Sequence, residues 1–103
     1  MTVLACNLGA FDVEQRGRYR QVTERLMDVV EEFHELSEGY RFRCPSDEST
    51  VLNLAEFIAL ERLCCPFFTF NLKVEADSGP VWLHITGPEG VKDFILSEFG
   101  LET

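Results

Sequence analysis

The adjacent cysteines Cys64 and Cys65 are the chemically most distinctive feature of this sequence. Neighbouring Cα atoms lie about 3.8 Å apart, whereas an unstrained disulfide needs roughly 4.4–6.8 Å. We therefore predict that these two thiols do not bond to each other. Two reduced neighbouring thiols suit a soft metal ion, because thiolates favour Cu(I) and Zn(II). The alternative, which the sequence supports almost equally, is that at least one of them is a small buried apolar side chain.

Pro66 directly follows the pair and is expected to end the helix in which both cysteines lie. In a continuous helix their side chains would diverge by about 100°. At a helix end, Cys65 can leave helical geometry and turn its thiol toward Cys64. The C-terminus of a helix carries partial negative charge, which disfavours a thiolate, although Arg62 could offset it. The sequence therefore favours a binding module over a thiol-redox enzyme, which would need a cysteine with a depressed pKa.

The predicted metal site consists of Cys64, Cys65, Glu61 and His84, with zinc or copper as the candidate ion. Glu61 lies one helical turn before Cys65 and can serve as an auxiliary ligand or base, or it is simply a solvated helix position. His84 alternates with apolar residues in a predicted strand, so we expect it on the polar face beside Trp82. That face is either a binding surface or an ordinary solvated sheet surface.

The remaining cysteines, Cys6 and Cys44, are possible helpers of this site because both lie in predicted strands that could be neighbours. Their spacing matches no standard zinc pattern, and Cys44 alternates with Phe42 as a core residue would. The chain contains no catalytic triad, phosphate-binding loop or dinucleotide fingerprint. We therefore assign no catalytic residue and no organic cofactor. His34, near the end of the first predicted helix, is expected to be a surface residue favoured by the helix dipole.

Length and charge exclude several classes of function. The chain has 103 residues, enough for a single domain over residues 1–103, and a formal net charge of −9. Such an acidic protein is expected to bind neither nucleic acid nor an anionic membrane. The first residues lack the pattern of a signal peptide, so we expect a cytoplasmic protein whose four cysteines are reduced.

Hydrophobic periodicity predicts the elements that must position these residues. Helical spacing indicates three helices. The first covers about residues 13–34, the second runs from the cap residues at 46–50 to about residue 64, and the third begins at about residue 91. Alternation indicates strands over 2–8 and 40–44, and a hairpin of 68–76 with 81–86. The order β-α-β-α-β-β-α, with about four strands and three helices, predicts an α+β fold packed as a two-layer α/β sandwich. The second helix is apolar on nearly every side, which favours a homodimer.

Two motifs carry a resemblance to a known family. The segment Cys64-Cys65-Pro66-Phe67 and the downstream segment Thr86-Gly87-Pro88-Glu89-Gly90 resemble the paired CCPF and TGPEG motifs of a family of small uncharacterised bacterial proteins. The likeness extends over nearly the whole chain, including Ala5-Cys6-Asn7-Leu8. It implies kinship with a bacterial family but no activity and no catalytic residue.

Overall fold

The computed structural model describes residues 4–102. They form the elements α1 (Val13–Val29), β1 (Glu32–Leu36), β2 (Gly39–Cys44), α2 (Glu48–Cys64), β3 (Thr69–Val74), β4 (Val81–Thr86) and α3 (Val91–Glu98). A single 3-10 turn, Leu8–Ala10, precedes α1. The α+β class, with three helices and a four-stranded sheet, is confirmed.

The sheet is antiparallel throughout, with the strand order β1-β2-β4-β3. The predicted hairpin of β3 and β4 forms, with Leu72 opposite Leu83. On the inner face of the two central strands, side chains alternate into the core: Tyr40, Phe42, Cys44, Val81, Leu83 and Ile85 are all buried. Phe57 of α2 and Phe99, the C-cap of α3, pack on this face against Phe70 and Phe42 respectively. The helices thus form one layer and the sheet the other.

The fourth strand lies elsewhere than predicted. Residues 4–8 form no strand, and residues 2 and 3 lie outside the described residues. The fourth strand is β1, within the segment that helical spacing had assigned to the end of α1. The helix ends at Val29 because the following residues pair with β2 instead: the backbone N–H of Glu31 donates to the carbonyl oxygen of Arg43 at 2.8 Å. Phe33 then pairs with Phe42 across the sheet and packs against Tyr40.

The location predicted for His34 is therefore wrong. It lies on an edge strand rather than at a helix end, and its side chain is 47% exposed. Its Nε2 atom is 3.1 Å from Glu32 on the same strand. The carboxylate of Glu32, rather than a helix dipole, is therefore the charge that acts on His34.

Local capping signals fix the two long helices. Asp12 and Gln15 form the predicted capping box of α1. Asp47 caps α2 by accepting a hydrogen bond from the backbone N–H of Thr50. As predicted, α2 ends at Cys64, with Cys65 as its C-cap and Pro66 beyond. Among residues 4–102, no helix combines the length and apolar character needed to cross a lipid bilayer.

Gly39 is expected to be essential for the pairing of strand β2 with strand β4. A Cβ atom at this position would collide with the backbone carbonyl oxygen of Ile85 and with Cα of Thr86. Backbone atoms of a central strand cannot move aside easily, so we expect Gly39→Ala to lower the free energy of unfolding by about 3 kcal/mol. Urea denaturation followed by circular dichroism measures this.

Gly17→Ala is the matched control. Gly17 lies within α1 and a Cβ there meets no atom within 4 Å. Alanine favours helix over glycine by roughly 0.8–1 kcal/mol, so this variant should be more stable than the native protein. A Gly39→Ala protein as stable as the native one would contradict the close approach of the two strands.

Candidate functional site

Three cysteines and one glutamate meet at the C-terminal end of α2. The last turn of the helix supplies Glu61 and Cys64, and Cys65 follows as its C-cap. Cys6 joins them from the N-terminal segment, which is held in place because the backbone N–H of Asn7 donates to the carbonyl oxygen of Cys64 at 2.8 Å. One carboxylate oxygen and the three sulfurs all lie within 4.8 Å of one another. We call these four residues the thiol cluster.

Cys6 and Cys65 are joined by a disulfide, with their Cα atoms 4.9 Å apart. The expectation that all four cysteines are reduced is therefore wrong for this structure. The reason is tertiary: the segment around Cys6 folds back onto the helix end and brings the two Cα atoms within disulfide range. The prediction that Cys64 and Cys65 do not bond to each other is confirmed, because Cys64 is a free thiol.

The geometry of the helix end explains how the sulfurs converge. Cys65 precedes a proline and has left helical geometry, with φ −124° and ψ 72°. Its sulfur consequently lies 3.6 Å from that of Cys64, instead of diverging from it around the helix. The sulfurs of Cys64 and Cys6 are 3.8 Å apart. The predicted turn of one thiol toward the other is therefore confirmed.

Glu61 is the only acidic residue among residues 4–102 that is fully buried. It accepts hydrogen bonds from the Tyr19 hydroxyl at 3.0 Å and from the Cys64 thiol at 3.2 Å. Loss of solvent raises the pKa of Glu61 to about 7; the hydrogen bonds from Cys64 and Tyr19 oppose this rise and nearby Glu98 adds to it. A carboxyl group that is partly protonated near neutral pH thus lies beside three sulfurs.

The free thiol of Cys64 is poorly suited to nucleophilic attack. Burial raises the pKa of Cys64 to about 12, with further contributions from the charge of Glu61 and from the hydrogen bond that the thiol donates to it. The thiolate is the reactive form of cysteine. Cys64 in this environment therefore stays protonated at neutral pH unless a metal ion displaces its proton.

Cys6 has a different environment from the two helix cysteines. Cys64 and Cys65 are completely buried, whereas Cys6 is only half-buried. Its sulfur is 3.3 Å from a carboxylate oxygen of Glu98 and 3.8 Å from one of Glu61. A disulfide sulfur carries no proton, so these contacts become hydrogen bonds only when Cys6 is a thiol.

The structure does not bring His84 or Cys44 to the cluster. His84 pairs with Arg41 and Asn71 on the outer face of the sheet, whereas the cluster lies in the helical layer. Partial burial and the charges of Arg41 and Lys73 lower the pKa of His84. Cys44 is buried at the end of β2, opposite Val81, in the core position predicted for it.

Sequence reasoning underestimated the roles of Cys6, Tyr19 and Glu98. Cys6 was assigned only as a possible helper, and Tyr19 and Glu98 were not assigned to the site. One usable signal was present for Glu61. Leu54, Phe57, Glu61 and Cys64 follow one another at the spacing of a single buried helix face. An acidic residue in such a stripe is predicted to be buried, and buried acids need partners.

Comparison with known proteins gives no relative from which a function could be transferred. No family model, no curated protein and no solved structure matches this chain. The kinship suggested by the CCPF and TGPEG motifs stays a prediction.

Proposed function

We propose that this protein is a binding module for a soft metal ion, held by Cys6, Cys64 and Cys65 as thiolates with Glu61 as a fourth ligand. The observation that supports this most is the convergence of three sulfurs and a carboxylate oxygen within 4.8 Å. Thiolate donors select Cu(I) and Zn(II) over hard ions. His84 has no part in this ligand set because it lies on the opposite face of the sheet.

The surroundings of the cluster also support a metal site. Two ligands come from the last turn of a helix and are fixed by its backbone, so little conformational entropy remains to be lost on binding. The hydroxyl of Tyr19 donates to Glu61 and orients its carboxylate, as outer partners of metal ligands commonly do. Metal binding must displace the proton of Cys64, so affinity should increase with pH.

The proposal includes a reducing, cytoplasmic environment. The Cys6–Cys65 disulfide occupies two of the three sulfurs, so a two-electron reduction must precede metal uptake. Cytosolic thiol buffers keep most protein thiols reduced. The oxidised form would then be a state in which the site is closed to metal.

Titration of the reduced protein with Zn(II) and Cu(I) tests this function. We expect one equivalent to bind with a dissociation constant below about 1 μM, since closed thiolate zinc sites bind with roughly 10–16 kcal/mol. The double variant Cys64→Ser/Cys65→Ser should lose this binding. Cys44→Ser, which alters a buried cysteine outside the cluster, should retain it. Equal and weak binding by the native protein and the double variant would exclude the proposed site.

A homodimer is a second proposal, which concerns assembly rather than chemistry. Leu52 and Leu63 on α2 are 62% and 45% exposed, so the apolar character of this helix is not fully covered within one chain. Sedimentation at high protein concentration tests it, and a strictly monomeric mass would exclude it. A thiol-redox enzyme is less well supported, because the pKa of the free thiol, Cys64, is raised rather than lowered.

A further inference from the structure

A cavity of about 320 Å³ opens beside the thiol cluster, between α1, the 3-10 turn and the end of α3. Two of its lining residues contact the cluster directly. Tyr19 donates its hydroxyl hydrogen to Glu61, and Glu98 lies 3.3 Å from the sulfur of Cys6. Single side chains, those of Tyr19 and Glu98, thus lie between the cavity and the disulfide. They lie on the side of Cys6, the half-buried cysteine of the pair.

The lining of the cavity is both charged and apolar. Arg16 and Arg20 contribute guanidinium groups, Glu24 and Glu98 contribute carboxylates, and Leu8 and Phe99 contribute apolar surface. This combination complements a small molecule that carries both negative and positive groups. The volume lies at the lower end of the roughly 300–1,000 Å³ typical of small-molecule sites.

Thr23 provides an independent indication that something polar belongs here. It lines the cavity, and its hydroxyl oxygen is buried without a hydrogen-bond partner among residues 4–102. Buried polar atoms are nearly always hydrogen-bonded in native proteins. This hydroxyl has no exposed surface in the cavity, so the Thr23 side chain must rotate to hydrogen-bond to a polar group of a bound molecule.

We propose that the cavity binds a low-molecular-weight thiol bearing carboxylate and ammonium groups, and that this thiol reduces the Cys6–Cys65 disulfide. The inference rests on the proposed function in one respect, namely that reduction frees the sulfurs for metal. It identifies the class of co-substrate that the cluster uses and the surface that admits it.

The thiol–disulfide exchange takes place in two steps. The thiolate of the small molecule reaches past Glu98, attacks the sulfur of half-buried Cys6 and breaks the bond from Cys6 to Cys65, so that Cys65 leaves as a thiolate. Cys64, whose sulfur is 3.6 Å away, can donate its proton in a hydrogen bond to that leaving sulfur. A second small thiolate then attacks the small-molecule sulfur of the mixed disulfide and releases Cys6 as a thiolate. Two small thiols are oxidised to one disulfide, and the protein gains two electrons.

Reduction kinetics with glutathione as the probe test this proposal. The release of free thiols from the oxidised protein is followed at increasing glutathione concentration, with uncharged 2-mercaptoethanol in parallel. We expect the rate to saturate with glutathione and to increase linearly with mercaptoethanol. Arg20→Gln should slow the glutathione reaction by about tenfold or more, the loss of one charge-assisted hydrogen bond, and leave the mercaptoethanol rate unchanged. Thr23→Val should also slow only the glutathione reaction.

Arg18→Gln is the matched control on the same helix. Arg18 pairs with Glu56 and does not line the cavity, so this variant should react like the native protein with both thiols. A linear glutathione dependence, or equal glutathione rates in native protein, Arg20→Gln and Thr23→Val, would overturn the proposal. The assay contains no metal and the metal titration uses a phosphine reductant, so either idea can fail without the other.

Discussion

Replacing Cys6 by alanine is expected to lower the free energy of unfolding of the oxidised protein by about 4 kcal/mol. The disulfide joins positions separated by 59 residues, more than half of the chain. Closing so long a loop removes much of the conformational entropy of the unfolded state. It also fixes the N-terminal segment, whose other described backbone link to the helix end is the hydrogen bond from Asn7 to Cys64.

Urea denaturation with and without dithiothreitol measures this effect. The native protein should lose about the same free energy when reductant is added, whereas Cys6→Ala should be insensitive to reductant. Cys64→Ala is the control, because it alters the neighbouring sulfur while leaving the disulfide intact and should stay sensitive. If reductant changes the stability of Cys6→Ala and the native protein equally, the stabilising role of this disulfide is wrong.

The stability of the oxidised protein should decrease as pH increases, and Glu61 is expected to cause about 3 kcal/mol of that decrease. The pKa of Glu61 is raised in the folded protein from 4.5 to about 7. The folded state therefore retains a proton that the unfolded state has lost. The stabilising contribution is complete below pH 4.5, falls as pH increases between these two values, and is gone above about pH 7.

Glu61→Gln tests this dependence because glutamine keeps a carbonyl acceptor for Tyr19 and has no titrating proton. The variant should lose the part of the decrease in stability between pH 4.5 and 7 that Glu61 causes, and keep the part from Glu98, whose pKa is also raised by burial. Glu56→Gln, on the same helix but half-exposed, should retain the native pH profile. Parallel pH profiles for the native protein and Glu61→Gln would contradict the burial of a titrating carboxyl group at the cluster.

Local sequence signals predicted the parts of the fold that depend on local physics. Asp12 and Gln15 marked the start of α1, and Pro66 marked the end of α2. The alternation gave both strands and the inward face of β4, but in β3 only Phe70 and Leu72 are half-buried and Val74 is exposed, because β3 is an edge strand. The strand β1 was not predicted because Val29, Val30 and Phe33 fit a helical period as well as the start of an edge strand.

Only part of the candidate site could be predicted from the sequence. Cys64, Cys65 and Glu61 are neighbours in sequence, and one helix turn brings them together. Cys6 reaches them through a contact across most of the chain, and no local periodicity encodes such a contact. His84 was included in the predicted site although alternation along β4 already placed it on the polar face, which is the outer face of the sheet and lies away from the cluster.

X-ray absorption spectroscopy of the reduced protein loaded with one equivalent of Zn(II) tests the central claim most directly. We expect three sulfur ligands at about 2.3 Å and one oxygen at roughly 2.0–2.2 Å. The Cys64→Ser/Cys65→Ser variant should lose the sulfur shell under the same conditions. A first shell of nitrogen and oxygen alone in the native protein would contradict the proposed site, because the zinc would then be bound outside the thiol cluster.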